Sequence, residues 1–283
     1  MGNLLAAVVS AETAGSEESQ SYLERMFSSD GFHAPSITEF FPAAIFGDGT
    51  IFEFNRIMLI RVIAAVALIA VFWVVASRAK VVPGRFQASI EFVLDFVKDQ
   101  IVEPVMGEHG KKYLPFLTTL FVAIVFFNIT GVIPFLNIAS TSLIGLPIFM
   151  AVWVYILYLS QGIKKFGVGG YLKNNLFPPG VPKFVYILLT PIEFLQVFIL
   201  RPATLALRLA ANMISGHLLL VLCFAATQYF FFEAAGALKA MSAVTFVAGF
   251  AFVLFEIFVA LLQAYVFVML STVYLNMAIE EEH

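Results

Sequence analysis

The residues best suited to chemistry in this chain are ionisable side chains placed inside two long apolar segments near its C-terminal end. Glu193, Arg201, Arg208 and His217 lie in the first segment, and Glu256 lies in the second. A charged side chain at the middle of a membrane costs about 2.5–3.5 kcal/mol on insertion scales. Several of them in one pair of helices therefore indicate an ion path that is filled with water or buried in protein. The alternative is a structural ion pair between the two helices, and for Arg201 extension to the membrane surface is an equally good interpretation.

The spacing of these residues predicts two polar tiers between the segments. Two consecutive helices joined by a short turn run antiparallel, and residues at the same level then have numbers with a constant sum. His217 with Glu256 and Arg208 with Gln263 fit one register to within two residues. Asn212 lies one turn after Arg208 and shares its face. We therefore expect an outer tier of His217 and Glu256 and an inner tier of Arg208, Gln263 and Asn212, about 10–13 Å apart along the axis.

The two tiers differ in the chemistry that they permit. A histidine and a carboxylate together can take up and release protons near neutral pH. Arginine stays protonated in proteins, so Arg208 acts only as a fixed positive charge. Such a charge blocks protons from passing straight along the path, and it attracts a carboxylate on a partner. For Asn212 and Gln263, ordinary hydrogen bonds between membrane helices are an equally good interpretation.

The composition places these residues in a membrane protein. The chain has 283 residues, of which 61% are hydrophobic and 12% charged, and its mean hydropathy is +0.94. Soluble domains carry about 45–50% apolar and about 25% charged residues, so a soluble fold is excluded. The single cysteine, Cys223, excludes an intramolecular disulfide and a cysteine-based metal site. Without a cluster of metal ligands, a nucleotide-binding motif or a basic segment, we expect no cofactor, no metal and no nucleic-acid partner.

The apolar runs predict an all-α membrane protein with five membrane-embedded helices and one amphipathic surface helix. The membrane helices are predicted at 57–77, 114–136, 143–163, 184–232 and 240–279, and the surface helix at 85–106. The last two would be about 74 and 60 Å long, against a hydrocarbon core of about 30 Å. We therefore expect both to be antiparallel and tilted or kinked, with Pro191, Pro202 and Gly249 as candidate bends.

The charges outside the apolar runs predict the orientation of the chain. Residues 1–55 form an acidic N-terminal segment, and residues 56–283 form the membrane domain. Lysines and arginines concentrate in the loops after the first and third membrane helices, and such loops remain in the cytoplasm. The N-terminus is then outside and the C-terminus cytoplasmic, in a multi-pass protein of the cell membrane. Arg56 and Arg61, at the outer end of the first helix, oppose this assignment.

Three stretches of the sequence resemble subunit a of F-type ATP synthases. They are LALRLAANMISG at Leu205–Gly216, PFLTTLFVAIVFFNITGVIP at Pro115–Pro134, and the final helix, which contains LLQAYVFVM with Gln263. The arginine followed four residues later by asparagine, the glutamine of the last helix and the acidic tail occur together and in the family's order. The resemblance covers residues 50–283 approximately.

The resemblance implies a role for each residue of the two tiers. Arg208 matches the family's essential arginine, which faces a rotating ring of c subunits, and Asn212 and Gln263 match its polar neighbours. His217 and Glu256 match the two positions of the outer channel. In some family members the acid is on the first of these helices and the histidine on the second, so the order here is reversed while the pair is retained.

The resemblance also implies an inner channel and a set of partners. Glu193 lies near the family's inner-channel acid. The expected partners are the c-subunit ring, the b subunits of the peripheral stalk, the rest of the ATP synthase, protons and the lipid membrane. The chain itself would conduct protons and would not be the ATP-making enzyme.

A secondary transporter or ion channel with a His/Glu proton site is the alternative function that the residues alone permit. Such transporters commonly consist of two related halves, and we find no internal repeat in this sequence. A passive scaffold would leave the tiered ionisable residues unexplained. Co-purification with a small two-helix protein that carries a carboxylate and is present in many copies would separate a stator subunit from a transporter.

Overall fold

The computed structural model describes residues 44–46, 54–80, 84–133, 140–177 and 184–280 of the chain. Most of the predicted N-terminal segment, residues 1–55, lies outside these residues, so its boundary stays a prediction. Helices dominate the described part. A small antiparallel sheet pairs β1, Ala44–Phe46, with β2, Phe54–Asn55. The described part of the chain is therefore all-α apart from this two-stranded sheet.

Six helices follow one another along the described chain. α1 is Arg56–Ser77. α2 consists of Arg85–Val97, a π-turn at Lys98–Val102 and a last turn at Glu103–Met106. The remaining helices are α3, Leu114–Ile129, α4, Gly145–Leu176, α5, Tyr186–Phe232, and α6, Met241–Ile279. Short 3₁₀ turns at Gly107–Lys112 and Gly236–Ala240 precede α3 and α6. Four of these helices, α1, α4, α5 and α6, are long and apolar enough to cross a membrane, and α3 is a shorter apolar helix. The predicted membrane class and the two long final helices are confirmed, whereas the number of five crossings stays a prediction.

α3 ends before the predicted limit of 136 because the residues after it bond to each other instead of continuing the helix. The Thr130 hydroxyl donates to the Phe127 carbonyl at 2.7 Å, and the Ser140 N–H donates to the Thr130 hydroxyl oxygen at 3.1 Å. Arg61 of α1 holds the same region, since its guanidinium donates to the carbonyls of Ser140 and Leu143 at 2.9 and 3.0 Å. These local bonds account for an arginine at this end of α1 without reference to membrane orientation.

α4 extends beyond the predicted limit of 163 because the helix resumes after a break at Gly167. Gly167 has φ +71° and ψ 167°, a conformation that glycine adopts without strain. After the break, the buried Tyr171 packs on the buried Gly162, where a Cβ would overlap the tyrosine ring. Lys165 donates a hydrogen bond at 2.7 Å to the carbonyl of Ile279, at the end of α6. That carbonyl is one of the four that a helix leaves without an internal donor at its C-terminus.

α2 has the two faces that its sequence predicts. Val97, Ile101 and Val102 are buried, while the acidic side chains of the helix are exposed. The ring of Phe96 packs on that of Phe121 in α3, with 5.8 Å between their centroids. The predicted amphipathic helix is therefore confirmed, with its apolar face against the protein.

The chain divides into two compact units, and residues 57–217 with 255–283 form the larger one. Its buried core includes Leu117, Tyr158, Leu209 and Phe267, which come from α3, α4, α5 and α6. All the predicted site residues fall within this unit.

The other unit contains residues 1–56 and 218–254. In it, the Thr227 hydroxyl of α5 donates to the Thr245 hydroxyl of α6 at 2.9 Å. Gly249, a candidate bend in the sequence, lies inside the continuous helix α6, and a Cβ there would stand 3.4 Å from Cys223 and Phe224. The missing side chain therefore serves close helix packing.

We expect Gly162→Ala to destabilise the protein, because the added methyl group would overlap the buried ring of Tyr171. Overpacking of a core costs about 1–3 kcal/mol, so the solubilised protein should unfold at a lower temperature than the wild type. Gly169→Ala is the matched control, since a Cβ at that position meets nothing within 4 Å. Equal unfolding midpoints for the two variants would contradict the packing described above.

Candidate functional site

The residues of the predicted outer tier are buried, and α5 and α6 approach closely beside them. His217 and Glu256 are each 4% exposed. Gly216 has no side chain, and a Cβ at this position would lie 3.4 Å from Oε1 of Glu256. The carboxylate of Glu256 therefore lies against the backbone of α5, at the level that the antiparallel register predicts.

The Glu256 carboxylate borders a small cavity. Neither of its oxygens has a hydrogen-bond partner among the described residues. The cavity has a volume of about 150 Å³, and Asn212, Ser215 and Gly216 of α5 contribute to its wall. A cavity of this size has room for several water molecules at about 30 Å³ each, and a buried carboxylate is costly unless something hydrogen-bonds to it. The arrangement suits a carboxylate that exchanges a proton with water.

A hydrogen bond joins α5 and α6 at the predicted inner tier. Nδ2 of Asn212 donates to Oε1 of Gln263 at 2.7 Å. Gln263 is 3% exposed, and its Nε2 has no partner within the described part of the chain. This bond agrees with the predicted register to within one turn, and it pairs Gln263 with Asn212 of the predicted tier. Arg208 lies one helical turn before Asn212.

Arg208 is the exposed member of the site. Its guanidinium has no hydrogen-bond or salt-bridge partner in the ranges that the structure describes, and it lies with Leu207, which is 53% exposed, on the outer face of α5. Leu205 and Leu209 are buried on the other face. A guanidinium on an otherwise apolar helix surface is suited to bind a carboxylate of another chain.

Glu193 and Arg201 border a second, larger cavity. Its volume is about 410 Å³, and α4, α5 and α6 line it with Phe166, Tyr171, Asn174, Asn175, Glu193, Gln196, Arg201, Met277 and Ala278, together with Glu280. Arg201 is 7% exposed, and its guanidinium lies 5.3 Å from the centroid of the Tyr274 ring. This cation–π contact holds the charge against the protein, which favours a place within the fold over extension into the lipid surface.

The sequence did not indicate two tyrosines of this region, Tyr171 in the cavity wall and Tyr274 against Arg201. Tyr274 forms the platform for Arg201, and Tyr171 is 3% exposed with a hydroxyl that has no hydrogen-bond partner among the residues described. Tyr171 reaches the cavity because of the helix break at Gly167, which we had not predicted. The sequence feature that could have indicated them is a tyrosine within an apolar helix, because a buried tyrosine hydroxyl usually has a hydrogen-bond partner.

The site thus consists of two cavities that each contain a carboxylate, with an exposed arginine on the helix that borders both. The carboxylates of Glu256 and Glu193 can bind and release protons, whereas Arg208 can only hold its charge. Within the described ranges, no group of three or more histidine, cysteine, aspartate or glutamate residues is placed to hold a metal ion.

Sequence comparison finds one family and several relatives that are similar to this chain over most of its length. The family described as ATP synthase A chain matches residues 58–276. ATP synthase subunit a of Rhodococcus erythropolis is 46% identical over 257 residues, which cover 90% of this chain and 93% of the relative. The subunit a of a Parafrankia species is 37% identical over 90% of this chain and 86% of its own length. The subunit a of a Nocardioides species is 34% identical over 90% of this chain and 95% of its own length.

We expect Asn212→Ala and Gln263→Ala each to destabilise the protein by about 1–3 kcal/mol. Each leaves an amide without its partner, the buried one of Gln263 or the half-buried one of Asn212. The double variant should lose less than the sum of the two, since both substitutions remove the same hydrogen bond. Thermal unfolding of the four proteins measures this coupling. Asn212→Ala combined with Thr119→Ala is the additive control, since Thr119 is exposed and bonds within its own helix. Full additivity for Asn212 and Gln263 would contradict the bond.

Proposed function

The chain belongs to the family of ATP synthase subunit a, the proton-translocating stator subunit of F-type ATP synthases, and on this premise we propose that its site residues form two half-channels on either side of Arg208. A proton enters from outside through one half-channel and binds a carboxylate of a rotating c-subunit ring. It leaves to the cytoplasm through the other half-channel after the ring has turned. The membrane potential contributes about 2.3 kcal/mol per charge per 100 mV to this transfer.

The exposed, unpartnered guanidinium of Arg208 is the observation that carries the proposal. A charge on the lipid-facing or partner-facing side of an apolar helix is costly unless a counter-charge meets it. A ring carboxylate that passes this face would supply that counter-charge, and the arginine would favour its ionised form. Because Arg208 cannot release its own proton, it also prevents protons from passing directly between the half-channels.

The outer half-channel consists of the tier that contains His217 and Glu256. Both side chains are buried, and the cavity beside Glu256 reaches Asn212 and Ser215 on α5. A histidine and a carboxylate at one level can hand a proton from water in this cavity to the ring. The Asn212–Gln263 bond separates this tier from Arg208 and holds α5 and α6 in register.

The inner half-channel contains Glu193 in the larger cavity. A volume of about 410 Å³ has room for a chain of water molecules, and Asn174, Asn175 and Gln196 offer polar groups along it. Arg201 places a positive charge in the same cavity. Glu193 accepts the proton from the ring side and releases it to water, so that the bond to its carboxylate oxygen breaks as the bond to water forms.

The partners and the location follow from this mechanism. The chain contacts the c-subunit ring and the b subunits of the peripheral stalk, and it conducts protons without making or hydrolysing ATP itself. α5 with 47 residues, and α6 with its preceding turn at 44, are longer than one direct crossing requires, which suits two tilted helices that follow a curved ring. The protein is a multi-pass protein of the cell membrane, and its basic loops and C-terminus face the cytoplasm.

We expect Arg208→Ala to abolish ATP-driven proton pumping in membrane vesicles that contain the whole complex, because the ring carboxylate then loses its counter-charge. Quenching of a pH-sensitive dye measures the pumping, and immunoblots of the membranes report assembly. Arg85→Ala, which removes an exposed arginine from α2, is the matched control and should pump normally. Normal coupled pumping by Arg208→Ala would refute the proposed function.

We expect His217→Ala to slow pumping more than Asn212→Ala does. His217 would carry the proton in the outer half-channel, whereas Asn212 has no titratable group and donates a hydrogen bond to Gln263. Initial rates in the same vesicles compare the two variants at equal amounts of assembled complex. Equal rates would argue against a distinct outer tier.

A further inference from the structure

α5 contains one widened turn, Gln196–Leu200, directly before Arg201 and Pro202. In this π-turn the Arg201 N–H donates to the carbonyl of Gln196, five residues earlier. The next carbonyl, that of Val197, would take its donor from Pro202 in the same pattern. Proline has no N–H, so this carbonyl has no donor from its own helix.

The hydroxyl of Tyr158 in α4 takes the place of the missing donor. It donates to the Val197 carbonyl at 3.0 Å, and both residues are 1% exposed. The Tyr158 ring is fixed by edge-to-face contacts with Tyr155 and Tyr274, whose centroids lie at 5.3 and 6.4 Å. A buried carbonyl without a hydrogen bond costs about 1–3 kcal/mol, so this bond stabilises the widened turn.

α2 shows that the combination of a π-turn and a following proline recurs in this chain. Its π-turn, Lys98–Val102, is followed two residues later by Pro104, and the Glu103 N–H donates to the carbonyl of Lys98. Pro191, by contrast, stands inside the regular turns of α5. A proline therefore accompanies both widened turns but does not by itself produce one.

The widened turn changes which residues share a face of α5. A π-turn holds one residue more than an α-turn, so it shifts the later side chains by one position, about 100° around the axis. Glu193 and Arg201 would stand about 80° apart on an uninterrupted α-helix, and the extra residue brings them within about 20°. Both line the larger cavity, as this alignment requires. Arg208, seven residues after Arg201, also lies within about 20° of it around the helix axis. Glu193, Arg201 and Arg208 therefore form one line along α5.

We propose that Tyr158 and Pro202 are positioning residues that set the rotation of Glu193 relative to Arg208 through this turn. The inference rests on the roles of Glu193 and Arg208 in the proposed function. In a helix without the widened turn, residue 194 instead of residue 193 would be aligned with Arg201 and Arg208. The phenylalanine at 194 would then face the cavity, and the carboxylate of Glu193 would be turned away from it.

The first test exchanges Glu193 and Phe194, because the widened turn determines which of the two positions faces the cavity. Pro202→Ala restores an N–H and permits an uninterrupted α-helix, so pumping by the complete complex in vesicles should fall about 10- to 100-fold, the loss typical of a displaced functional group. The double exchange Glu193→Phe with Phe194→Glu should abolish pumping in the native helix and restore it in the Pro202→Ala background. Native pumping by Pro202→Ala, or no rescue by the exchange, overturns the inference.

Two further variants distinguish a change in this turn from a general loss of folding. Tyr158→Phe removes only the hydroxyl, and it should lower pumping in a way that the same exchange rescues. Pro191→Ala is the matched control, because it restores an N–H in the same helix without a π-turn beside it; it should pump like the wild type. A loss in Tyr158→Phe that the exchange fails to rescue counts against the inference.

Cysteine labelling separates this inference from the proposed function. Single cysteines at 193 and 194, in a Cys223→Ala background, are treated from the cytoplasmic face with a membrane-impermeant thiol reagent. Labelling should favour position 193 in the native helix and position 194 after Pro202→Ala. If Glu193→Gln pumps normally, the proposed role of Glu193 is refuted, and a labelling pattern that still switches supports the role of the turn. An unchanged labelling pattern overturns that role whatever the pumping shows.

Discussion

A charged side chain in an apolar helix must find water, a polar partner or a counter-charge, and this requirement organises α5 and α6. Arg201 is held over the ring of Tyr274 in a cavity that also contains Glu193. Glu256 lies beside a smaller cavity, where Gly216 leaves space next to its carboxylate. Among the ionisable side chains within α5 and α6, Arg208 is the exposed one, and it has no hydrogen-bond or salt-bridge partner on the described chain. It is also the charge that the proposed mechanism presents to a rotating ring.

The backbone obeys a parallel requirement, because a helix in a membrane must satisfy its own hydrogen bonds. Where Pro202 removes a donor, the hydroxyl of Tyr158 replaces it at the Val197 carbonyl. Where the chain leaves α3, the Thr130 hydroxyl donates to the Phe127 carbonyl and the guanidinium of Arg61 donates to the Ser140 carbonyl. Side chains from other parts of the sequence therefore determine where helices widen or end.

The sequence predicts the parts of this structure that depend on local pattern. The apolar length of α5 and α6 and the antiparallel register of Asn212 with Gln263 follow from hydropathy and helical spacing. The end of α3, the continuation of α4 past Gly167 and the burial of Arg201 do not, because each depends on contacts between residues far apart in the chain. The π-turn belongs to the same class. Its proline is visible in the sequence, but the tyrosine that satisfies the open carbonyl lies 39 residues away.

The bond between Lys165 and the Ile279 carbonyl joins residues 114 positions apart and fastens the last turn of α6 to α4. The same end of α6 also packs against the protein, because Leu275 and Ala278 are buried. If α5 and α6 face a rotating ring, as proposed, these contacts would oppose a lateral displacement of α6. Lys165 would then help to keep the last turn of α6 in place while the ring turns.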